Sequence, residues 1–151
     1  MKKLVLVLLS FVLSAFCLTT PTAFAATQDD ILIKQSVEML DDGGTLISSL
    51  YECANQPRGG KTGYASATYK NALGTVMWKV TVTGTFTYNG VTSSATDAEV
   101  SVSLYSDNVK FVSKNAYTSG ASAIGTATVT YNASHTTRSA TVSCDKNGNL
   151  Y

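Results

Sequence analysis

The sequence predicts an all-β protein: an antiparallel two-sheet β-sandwich of immunoglobulin-like architecture, with a short N-terminal helix or extended segment. Three observations carry that expectation. Residues 74 to 90, GTVMWKVTVTGTFTYNG, alternate apolar and polar side chains over more than a dozen positions, which is the period of a strand with one dry face and one wet face. Short β-rich runs follow at Val109 to Tyr117, Ala121 to Tyr131 and Thr137 to Cys144, separated by the turn-type clusters TSG, NASH and DKNG. Finally, Val100, Val102 and Leu104 share a parity that does not continue the phase of the first long strand. A bulge, or a crossing to a second sheet, is therefore expected between Ala95 and Glu99.

From the N-terminus, Lys2 and Lys3 precede an apolar run from Leu4 to Leu18, and the segment closes on Ala23-Phe24-Ala25. This is the layout of a cleaved secretory signal peptide over residues 1–25. The apolar run falls short of the roughly 20 residues of a membrane span, so the mature chain is expected to hold no integral membrane segment and to be extracellular, either free or at the cell surface. Removal of Lys2 and Lys3 leaves nine basic residues against ten acidic ones. That balance offers nucleic acid no basic face.

An N-terminal segment, 26–54, comes next. Thr27 stands where a helix cap would stand, and Ile33, Val37 and Leu40 fall on one helical face, so a short helix is expected over 28 to 40, with strands as the other reading of ILI and TLISSLY. Residues 55–63, NQPRGGKTG, read as a linker, and Arg58 to Lys61 as an exposed protease-sensitive site. The β-sandwich domain is then 64–151.

Within it, Val76, Trp78, Val80, Val82, Phe86 and Tyr88 form the dry row and Thr81, Thr83, Thr85 and Thr87 the wet one. Trp78 is the expected core anchor. Gly84 keeps the phase without a side chain and marks a kink. Asn89-Gly90 suits a type I′ hairpin turn that pairs Tyr88 with Val91.

LDDGGTL, the Trp-led strand ending TGTFTYNG, and the closing CDKNGNL resemble a group of small secreted proteins of clostridia-like Gram-positive bacteria. The resemblance spans most of the mature chain and implies a fold and an extracellular location, with no assigned activity. Such relatives carry a cysteine shortly after YNG that pairs with the terminal one, where this chain has Ala95.

After the leader, two cysteines remain, Cys53 and Cys144. In an oxidising compartment they are a candidate disulfide closing a loop of about 90 residues and adding roughly 4–5 kcal/mol, or else two unpaired thiols.

For catalysis the chain offers one histidine, His135, in a turn cluster beside Ser134. Adjacent residues seldom face each other, so no nucleophile–base pair is expected. Asp29 with Asp30, and Asp41 with Asp42, sit in turn contexts, while Asp97 and Glu99 flank the expected bulge. The paired carboxylates of a glycosidase do not converge in sequence. One histidine and two cysteines make a poor zinc set, and DDGG lacks the alternating oxygens of a calcium loop. No catalytic residue, metal ligand or cofactor is therefore assigned.

The expected function is a non-catalytic binding or interaction protein whose partner is a protein or a cell-surface glycan. The alternatives are a secreted antibacterial or inhibitory effector and, behind that, a hydrolase. Tyr64, Tyr69 and Tyr105 are candidate exposed contact residues.

Overall fold

A computed structural model describes residues 29–151; the leader and Thr27 lie outside them. The described chain is all-β. It folds as β1 (Ile31–Met39), β2 (Thr45–Glu52), β3 (Gly60–Lys70), β4 (Val76–Tyr88), β5 (Ser93–Leu104), β6 (Val109–Ser119), β7 (Ser122–Tyr131) and β8 (Ser134–Ser143). The first five strands form one antiparallel sheet in chain order, and the last three form a second. The chain crosses between layers once, after β5. Each sheet is therefore a meander, whereas immunoglobulin domains use Greek-key connections.

The helix expected at 28 to 40 is replaced by β1. Two hydrogen bonds within LDDGG, Leu40 N to Gly44 O and Gly43 N to Leu40 O at 2.9 Å each, together with φ +77° at Gly43, turn the chain back. β1 then pairs with β2 from Ile31↔Glu52 to Met39↔Thr45. A helix draws most of its stability from burying an apolar stripe. Every residue of β1 is exposed, so no such surface is on offer and the ladder to β2 decides. Residues 55–63 connect β2 to β3 within the same sheet, and Gly60 to Gly63 already belong to β3.

Asn89-Gly90 forms a wider loop than expected. Tyr88 pairs with Ser93, not Val91. Gly90 takes φ +83° but Asn89 stays at negative φ; its side-chain oxygen instead accepts from the Val91 and Thr92 amides at 3.0 and 2.9 Å. That side-chain turn competes with type I′ geometry, which needs positive φ twice. The two consecutive positive φ values occur at Asn132 (50°) and Ala133 (60°), between β7 and β8.

The expected bulge is present. Thr85 pairs with Asp97 and Phe86 with Ala95, leaving Thr96 as the extra residue. Downstream, Val80 meets Val102, Val82 meets Val100, and Lys79 meets Ser103. Strand β5 stays in the first sheet throughout, so the bulge, and not a crossing, corrects the register. Gly84 serves close approach between the layers: a Cβ there would lie 2.6 Å from Ala123 Cβ and 2.7 Å from the Phe86 ring.

The core lies where β6–β8 cover β3–β5. Trp78 is 1% exposed, and Val80, Val82, Phe86, Ala123, Val129, Val142 and Cys144 are fully buried. The Trp78 ring lies 5.9 Å from Tyr69, which meets Tyr131 edge-on at 5.8 Å.

Candidate functional site

Five strands lie under three, and the surplus sits on one side: β8 packs against β3 and β4, so β1 and β2 extend past it. Along this step runs a groove of about 260 Å³. Leu50 from β2 and Ala65 and Ala67 from β3 floor it, Ser139 and Thr141 from β8 wall it, and Lys34 of β1 stands at its rim. Ser48, which shares the Leu50 face, is exposed, because no strand lies above it.

One end of the groove is closed by a feature that local reading did not supply. In the closing turn, the Asp145 carboxylate accepts from the Asn147 and Asn149 amides and from Asn149 Nδ2, all at 2.8 Å, and Gly148 takes φ +88°. These bonds hold the Asp145 carboxyl below its ordinary 3.8, the Asn149 side chain contributing most. The chain is thereby folded back against β8. Cys144 bridges to Leu150, and Ser143 and Tyr151 exchange both backbone bonds, each at 3.0 Å. The signal was present in DKNGNL: a turn cluster followed directly by an apolar residue that needs cover.

That reciprocal pair fixes which way β8 faces. Ser143 directs its N–H and C=O away from β7. In a strand every second residue does the same, so Thr141 and Ser139 present their backbone groups to the groove, and Thr137, further along β8, directs its own to the same side. No hydrogen bond joins the Ser139 or Thr141 backbone to another described residue on that side, while the Thr137 carbonyl accepts from Arg138 Nη1 at 3.4 Å.

Other concavities are less suited to a ligand. A hollow of about 830 Å³ at the crossing is lined only by the continuous segment Leu104 to Phe111, so it lacks an opposing wall. A cleft of about 50 Å³ among Asp42, Tyr69, Trp78, Tyr131, Thr136 and Arg138 has room for about one or two waters. There the Tyr69 hydroxyl donates to Asp42 at 2.8 Å, and the Gly44 amide donates to the other oxygen at 2.8 Å. Both bonds lower the Asp42 pKa, the Tyr69 bond more strongly. Burial first, and then Asp42, pushes the Tyr69 phenol up to about 12. Nε of Arg138 is buried beside them without a partner.

The residues considered for chemistry are dispersed. His135 is exposed, its Nδ1 lying 3.2 Å from the Thr130 hydroxyl. Asp30 accepts from the Ala54 amide at 2.9 Å. Asp97 and Glu99 stand opposite Thr85 and Thr83 on the outer face. Among the described residues, no group of three or more His, Cys, Asp or Glu side chains could hold a metal ion, and no helix is long and apolar enough to cross a membrane.

The candidate disulfide is absent: Cys53 and Cys144 are free cysteines. Cys53 follows the phase of Tyr51, whose ring stacks on Tyr64 at 4.8 Å on the outer face, whereas Cys144 is buried between the layers. The two thiols thus lie on opposite faces of the larger sheet. Burial pushes both up, as do Asp30 at Cys53 and Asp145 at Cys144, so neither is primed as a thiolate. Tyr64 and Tyr69 are both largely covered, and only Tyr105, at 57%, stands clearly in solvent.

No protein-family model matches this chain, and no curated protein or solved structure matches it.

Proposed function

We propose that the protein is a secreted, non-catalytic binding module that takes up an extended polypeptide segment of a partner along the free edge of β8. The observation that carries this reading is the set of unpaired backbone groups at Ser139 and Thr141 beside the groove, in the lane that Tyr151 already enters. A strand added there gains main-chain hydrogen bonds, and the groove floor selects its alternate side chains. Ala65, Ala67 and Ser48 are small and leave room for a larger incoming side chain, while Leu50 supplies apolar surface.

Alternating donors and acceptors at strand spacing match a peptide backbone, which favours a protein partner over a glycan. The non-catalytic reading is supported by Asp30, Asp42 and Asp145 each being engaged in local hydrogen bonds. An extracellular location follows from the leader-like residues 1–25. The effector alternative has no separate geometric support among the described residues.

Panning a displayed library of peptides of about ten residues, a strand's length, against the purified protein tests the site. Binders should be extended apolar–polar alternators. Ser139→Pro should abolish their binding and leave the thermal midpoint nearly unchanged, because the Ser139 N–H points away from β7 and proline is tolerated on an edge. Peptides that bind Ser139→Pro as well as the parent, or a library that yields no binder, would overturn the assignment.

A further inference from the structure

We infer that β1 is a self-recognition edge, pairing antiparallel with β1 of a second copy in a register centred on Ser36. This reading does not depend on the β8 edge: it rests on the far edge of β1, although Lys34 and Ser36 also line the groove.

The starting observation is how little β1 is covered. It is bonded along one edge to β2, and its other edge is unpaired among the described residues. Ile31, Leu32, Ile33, Val37 and Met39 are 55, 49, 42, 63 and 77% exposed. Natural sheets blunt such edges with charges, bulges or cover, and the β5 and β6 edges here do so along their length, β8 only at its end. The Lys114 ammonium donates to the Val100 carbonyl at 3.0 Å on β5, which also carries the Thr96 bulge. β6 has its own irregularity at Val112, and Tyr151 caps the end of β8. On β1 the irregularity falls at Ile33, near its start, leaving Lys34 to Met39 in unbroken register with β2.

The charges within that regular run identify the occupant. Lys34 lies opposite Leu50, and Glu38 opposite Leu46, so both stand on the inner side of the sheet with Ser36 midway between them. Among the described residues neither has an ion-pair partner. Two like charges here would repel a second copy of the strand. Opposite charges at equal distance from Ser36 do the reverse. Antiparallel pairing about Ser36 sets Lys34 against Glu38 of the second copy and Glu38 against Lys34 of the second copy. The same register places Ile33 against Met39 and Gln35 against Val37. A register two residues off in either direction leaves Lys34 opposite Ser36 or Leu40, with both ion pairs lost. Opposite charges directly across a ladder stabilise it, and like charges oppose it.

The symmetry closes. A two-fold axis perpendicular to the sheet joins two five-stranded sheets into one of ten strands and consumes both β1 edges, so growth stops at the dimer. Both three-stranded layers then stand on the same side, with their β8 edges facing across a shared trough that keeps the groove open.

Sedimentation velocity over a concentration series of the purified protein provides the test, with far-UV circular dichroism as the check on folding. The side chains concerned are exposed, so substitution leaves the core untouched. The wild type should show a concentration-dependent dimer. Lys34→Glu and Glu38→Lys should each weaken dimerisation about tenfold or more, since two attractive pairs become repulsive. The double variant Lys34→Glu/Glu38→Lys should dimerise like the wild type, and an equimolar mixture of the two single variants should form mixed dimers. A wild type that stays monomeric throughout would overturn the inference. So would single variants that dimerise undiminished, or a double variant that fails to recover. The Ser139→Pro variant should dimerise normally, which separates this outcome from that of the groove.

Discussion

Val82 and Val37 are mid-strand valines in the same sheet, yet one is fully buried and the other 63% exposed. Val82 points inward beneath the second sheet, whereas Val37, between the inward-facing Ser36 and Glu38, points to the outer face, and even the inward-facing residues of its strand are exposed. β3 to β5 are roofed by the second sheet, whereas β1 and most of β2 project beyond its β8 edge. The roofed half carries the stability of the fold, through Trp78, Phe86 and the valines between them. The projecting half contributes backbone ladder and little apolar burial, which leaves its edge and the adjoining groove free for contacts with other chains.

The largest expected effect tests the roofed half. Trp78→Ala should cost about 3–5 kcal/mol in urea unfolding, as deletion of a buried aromatic generally does. A cost below about 1 kcal/mol would mean that the layers do not close over this ring. A smaller effect concerns alkaline pH. Tyr69 titrates at about 12 when folded against 10 ordinarily. The raised value means that the folded state holds its proton where the unfolded chain gives it up. The stability it contributes is therefore complete below pH 10 and is lost as pH rises toward 12. In Tyr69→Phe that loss should shrink, with the remainder assigned to Tyr64, which is also raised to about 12. An unchanged alkaline slope in Tyr69→Phe would show that the phenol does not act as described. The smallest effect belongs to the projecting half: Val37→Thr should change stability by no more than about 0.5 kcal/mol. A loss above 2 kcal/mol in a monomeric sample would erase the contrast between the two regions.

The same contrast explains which elements were legible in the sequence. β4 alternates cleanly because one of its faces is dry and the other wet, so selection for burial wrote a period of two into it. β1 has neither face covered, and burial left no period to read; Ile33, Val37 and Leu40 could equally suggest a helix. The bulge at Thr96 was legible because it separates two clear phases. The Asn89-Gly90 turn was misjudged because an Asn side chain can bond to the backbone of its own loop, an option its residue type allows but does not reveal. The candidate site was hardly legible. Its acceptors and donors are backbone groups of Ser139 and Thr141, whose side chains carry no special signal, and their openness depends on how far a distant strand extends.

By itself, then, the sequence determined the all-β class, the wet and dry faces of the long strand, the buried place of Trp78 and the positions of most turns. Those are set by side-chain period and local dihedral preference. The tertiary structure alone decided that Cys53 and Cys144 sit on opposite faces, that Tyr151 returns to Ser143, and that five strands outflank three. Such facts depend on which remote segments meet, and hydrogen bonding between backbones is nearly blind to the side chains that carry the sequence's message.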